Sequence, residues 1–133
     1  MSQENIELVH QVTAAINRHD IDAVLALTDP DGEFIPRLTE VDGGGSYRGH
    51  DGVRSWWENL FGVWPDFKSE VEEVRDLGDV TVARVRMSGQ GIASEVATDQ
   101  TSWVVNEWRD GKAIWMRVFQ SEAEALEAAG LSE

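Results

Sequence analysis

The chain has 133 residues, about one domain: long enough to bury a core and too short for two. Apolar residues make up 41% of it and six are Trp, so hydrophobic burial can offset the entropy cost of ordering the backbone. A net charge of -14 repels phosphate backbones and anionic lipid, so neither nucleic acid nor membrane is expected as a partner, and the lack of Cys excludes disulfides, thiolate nucleophiles and Cys-ligated metals.

The start MSQENIELVH carries acids where a secretory signal needs a basic and then an apolar region. No run approaches the roughly 18 apolar residues of a membrane span, so a cytoplasmic location is expected. From Glu4 to His19, Ile6, Val9, Val12, Thr13 and Ile16 recur at helical spacing and predict an amphipathic first helix. Asp20 is placed to cap a second, shorter helix carrying Ile21, Val24, Leu25 and Leu27, which Asp29-Pro30 closes. Glu33 to Leu38 reads as a strand, and EVDGGGSYRGH after it reads as a loop. Its GGGS run lacks the Lys-Ser/Thr of a phosphate-binding loop. Between Asp51 and Phe61 the apolar residues Val53, Trp56, Trp57, Leu60 and Phe61 give the strongest helix pattern in the chain, with Gly62 as its stop.

The second half changes character. Phe67–Arg75, Val80–Ser88, Val96–Trp108 and Lys112–Gln120 read as strands, separated by turn formers at Leu77-Gly78-Asp79, Gly89-Gln90-Gly91 and Arg109-Asp110-Gly111. Short links between consecutive strands predict an antiparallel meander. Ser121 with Glu124 forms a capping box ahead of a last helix stopped by Gly130. Helices followed by a long sheet give an α+β domain.

This order resembles the nuclear transport factor 2-like fold. The stretches NRHDIDAVLALTDPDGEF, YRGHDGVRSWWENLF and WRDGKAIWMRVFQSEAEALEAAG are similar to its SnoaL-like, polyketide cyclase-like members. The resemblance implies one domain over residues 1–133, with a cone-shaped, curved antiparallel sheet whose concave face is covered by the three helices of the N-terminal half. A small-molecule pocket would open between sheet and helices. It also implies a homodimer formed through the outer sheet face, where Trp108 and Trp115 are expected. The superfamily includes isomerases, epoxide hydrolases, cyclases, transport factors and non-catalytic binders, so the fold leaves the reaction open.

Aligned with ketosteroid isomerase, the family's oxyanion-donating Tyr falls at Val12, its carboxylate base at Pro36 and its protonated Asp at Trp103. None of these side chains can do that chemistry, so ketosteroid isomerisation is excluded. The Asp of the related epoxide hydrolases falls at Val118. The same alignment gives the expected pocket lining: Phe34, Pro36 and Leu38 from the first strand, and Trp56 and Leu60 from the third helix, with Tyr47 expected at the pocket mouth beside His50. The later strands would add Ala83, Val85 and Met87, then Asp99, Thr101, Trp103 and Val105, then Ile114, Met116, Val118 and Gln120. A one-residue slip would turn Arg84, Arg86 and Arg117 inward instead.

Asp99, set among apolar neighbours, is the candidate general acid or base, and His50 the candidate proton shuttle. The plainer alternatives are a solvated carboxylate near a strand start and a histidine that packs the third helix. His10, His19 and His50 lack metal-ligand spacing, so no metal and no cofactor is expected. Two functions follow: cofactor-free acid/base chemistry of cyclase, isomerase or hydrolase type on an apolar or aromatic metabolite, or a non-catalytic ligand-binding or dimerisation module.

Overall fold

A computed structural model describes residues 2–35, 47–91 and 98–130. The expected lining residues Pro36 and Leu38 lie outside them. Helix α1, Ser2–Asn17, buries Val9 and Ala15, and the chain turns away just after it at His19, whose φ is 59°. Asp20 then caps α2, Ile21–Ala26, by accepting the amide hydrogen of Ala23 at 3.1 Å.

Strand β1, Thr28–Ile35, starts earlier than the sequence pattern suggested. Thr28 pairs with Ala113, but regular pairing resumes only at Glu33 with Trp115. The segment between holds Pro30, which has no N–H to give a ladder, and an Asx turn in which the Asp31 amide donates to Asp29 Oδ1 at 2.7 Å. The Asp-Pro signal therefore marks an irregularity inside a strand rather than its boundary. A two-residue strand β2, Tyr47–Arg48, pairs with β1 just ahead of α3, Gly49–Val63. Gly62 does not stop α3, which runs one residue beyond it.

The remaining strands are β3, Lys68–Asp76, β4, Val80–Gly89, β5, Thr98–Arg109, and β6, Lys112–Phe119. Asp110 and Gly111, with φ of 56° and 79°, form the two-residue turn that an Asp-Gly pair favours between β5 and β6. The six strands lie in the order β2-β1-β6-β5-β4-β3. All pairs are antiparallel except β1 with β6, so the sheet is mixed rather than wholly antiparallel.

Period-two alternation gives the sheet two apolar faces. One carries Ala83, Val85 and Trp108 and packs with α1, α2 and α3 into the main core. The other carries Val82 and Val105 and is partly covered by α4, Glu122–Ala128, through the fully buried Ala125. Ser121 caps α4 as its spacing predicted, its Oγ accepting from the Glu124 amide at 3.2 Å.

Candidate functional site

The main core is not filled. A cavity of about 140 Å³ lies between the helices and one sheet face, and it is overwhelmingly apolar. Its helical wall is built from Val9, Val12 and Ile16 of α1, Val24 of α2, and Trp56 and Leu60 of α3. These are the core-facing positions of their helices, so the amphipathic pattern that docks each helix also makes its share of the wall.

Of the residues expected in the lining, Phe34, Tyr47, Trp56, Leu60, Val85 and Met87 are there. So are Ala83, Met116 and Val118. The strand β5 is not as expected. Its inward residues are Val104, Asn106 and Trp108, and Trp103 and Val105 belong to the opposite core under α4. The cause is a bulge. A two-residue hairpin extended without interruption from Arg109–Lys112 would set Val105 opposite Met116, but Ile114 is an extra residue in β6, and Asn106 faces Met116 instead. That one residue reverses every β5 side chain relative to the expectation. It also displaces Ile114 from the lining, where Ala113 stands in its place.

Asp99 and Thr101 are accordingly exposed rather than pocket-facing. Both Asp99 oxygens accept from Arg86, at 2.8 and 2.7 Å, and this contact holds the carboxyl below its ordinary value. Asp99 is the solvated carboxylate of the plainer reading. Gln120 is exposed and outside the lining. His50 is half-buried at the start of α3, where its Nε2–H donates to the Thr28 carbonyl at 2.9 Å, so it ties helix to strand from behind the cavity wall. Arg84, Arg86 and Arg117 do not line the cavity. Trp108, expected on the outer face beside Trp115, is buried at the cavity floor, where its Nε1–H donates to Thr81 Oγ1 at 2.9 Å.

No carboxylate, imidazole, ammonium or guanidinium lines the cavity among the described residues. Thr13 and Thr28 donate their hydroxyl hydrogens to main-chain carbonyls one helical turn back, at 2.9 and 2.7 Å. The Tyr47 hydroxyl accepts from Asn59 Nδ2 at 3.0 Å. Asn106 is the lining residue that the sequence pattern missed and that matters most. Its side chain has no hydrogen-bond partner among the described residues. The signal was a lone carboxamide directly after the apolar run Trp103–Val105, but its face depended on the unseen bulge.

The family model of the SnoaL-like domain matches residues 9–116. The chain belongs to the SnoaL-like domain family. Three solved structures share its fold. A nuclear transport factor 2-like protein of unknown function from Burkholderia pseudomallei aligns at a TM-score of 0.76 with 20% identity, over 93% of this chain and 95% of that one. TerC, co-crystallised with polyporic acid, aligns at 0.74 with 22% identity, over 93% and 96%. IdmH from Streptomyces antibioticus, described as a proposed polyketide cyclase, aligns at 0.72 with 18% identity, over 93% and 96%. No curated protein matches the sequence.

Within the family frame, Val12 and Val118 do line the cavity at positions where relatives were expected to carry a Tyr and an Asp. Trp103 does not, and its inward neighbours Ser102 and Val104 supply no carboxylate either.

Proposed function

We propose that this SnoaL-like domain binds one small, neutral, apolar or aromatic molecule in its cavity, selecting it by shape. The observation that carries this reading is a cavity of about 140 Å³ whose described lining holds no charged side chain. Apolar cavities of roughly 150 Å³ stay dry and admit a single benzene-sized molecule. The volume here therefore suits one ring. An ion entering it would lose its hydration without gaining a counter-charge.

No observation favours the acid/base alternative built on Asp99 and His50, since one is paired with Arg86 in solvent and the other is held by Thr28. General acid/base catalysis needs the group within hydrogen-bond reach of the substrate. That leaves binding as the function this geometry supports.

Calorimetric titration with single-ring aromatics tests the proposal. The expected result is saturable binding with a negative heat-capacity change, abolished by Ala83→Phe, which fills the cavity from a fully buried wall position. Equal binding to the native protein and the filled variant would place the ligand elsewhere and overturn it.

A further inference from the structure

We infer that Asn106 orients the ligand and makes the cavity selective for a ring bearing a neutral hydrogen-bonding group, a carbonyl or a phenolic hydroxyl. This rests on the binding reading above. Asn106 sits in the middle of the inward face of the sheet, opposite Thr81 of β4 and Met116 of β6. Apart from Ser69, the hydroxyl groups in and beside the lining are already engaged. Thr13 and Thr28 each give their proton to a helix carbonyl, Tyr47 takes that of Asn59, and Thr81 takes that of Trp108.

The Asn106 carboxamide has two donors and an acceptor and no protein partner among the described residues. Asn106 is half-buried, and an apolar ligand packed against it shuts its amide off from solvent without supplying a partner, which is unfavourable. A ligand that supplies the partner removes that penalty, and one that lacks it leaves the penalty in place. This asymmetry is how a buried polar group discriminates between ligands of equal shape. The amide can serve a carbonyl through its N–H groups or a hydroxyl through its oxygen. It offers no charge to compensate a carboxylate.

The test is calorimetric affinity for toluene, phenol, benzaldehyde and benzoate, measured on the native protein, Asn106→Leu and Asn106→Ala. One net hydrogen bond corresponds to about a tenfold change in affinity. The native protein is expected to bind phenol and benzaldehyde about tenfold more tightly than toluene, and to reject benzoate. Both variants are expected to lose that preference while still binding toluene, with cooperative thermal unfolding confirming that they are folded; the smaller Ala also guards against a steric effect of Leu. A native preference that survives in the folded variants, or no native preference at all, would overturn the role of Asn106 and leave cavity binding intact. Failure of all four compounds to bind the native protein would overturn both readings.

Discussion

Trp108 and Thr81 form a buried hydrogen bond across the β4–β5 pair, indole Nε1 to Oγ1 at 2.9 Å, with Thr81 wholly inaccessible to solvent. The bond fixes an indole ring at the cavity floor and gives its one donor a partner. Floor shape thus depends on a polar contact as well as on packing.

Thr81→Val keeps the side-chain volume and removes the acceptor, leaving the indole N–H buried and unsatisfied. The cost of such a group is about 1–3 kcal/mol. Urea unfolding should show that loss with an unchanged dependence on denaturant concentration. A variant as stable as the native protein would mean that the bond contributes nothing.

Gly49 begins α3 with φ of +67°, and a Cβ there would lie 2.5 Å from the Pro30 carbonyl oxygen. Neither conformation nor space admits a side chain. Gly49→Ala should lower stability by more than about 1 kcal/mol, measured by denaturant unfolding, because Pro30 is main chain and cannot swing aside. An unchanged midpoint would show that the α3–β1 junction can shift freely.

Asp66 and Asp99 both have carboxyl groups held below their ordinary value. For Asp66 the causes are hydrogen bonds from the amides of Gln90 and Gly91, and for Asp99 the Arg86 guanidinium. A carboxylate whose value is lowered by folding contributes stability above its unfolded-state value, and that contribution is lost as pH falls through the folded one. Stability should therefore fall on acidification below the normal carboxylate range, and should not change between neutral and mildly alkaline pH on account of these groups. The double variant Asp66→Asn, Asp99→Asn should show a shallower acid limb in pH-dependent unfolding. Because Asp99 faces away from the cavity, its replacement should leave ligand affinity unchanged, and a large loss of affinity would return it to the site.

Much of this was legible in the sequence because local and tertiary signals agree there. Asp20 and Ser121 cap the helices their spacing indicated, Asp110-Gly111 makes the expected hairpin turn, and the β4 alternation of Ala83, Val85 and Met87 points inward as read. The β5 face was not legible. Trp103 and Val105 on one side and Val104 and Trp108 on the other are equally apolar because both sheet faces are covered, so alternation carried no sign. The deciding feature, the extra Ile114, is a bulge with no glycine to announce it. The parallel β1–β6 pair was also hidden, since it joins segments far apart in the chain.

Entry of a small neutral ring into the cavity between the sheet and α1, α2 and α3 is the proposed function. Crystals soaked in bromobenzene test it most directly, through the anomalous signal of the bromine. The expected result is one strong peak bounded by Trp56, Val85, Asn106 and Met116, absent from crystals of Ala83→Phe. No peak in the native cavity at saturating bromobenzene, or the same peak in the filled variant, would contradict it.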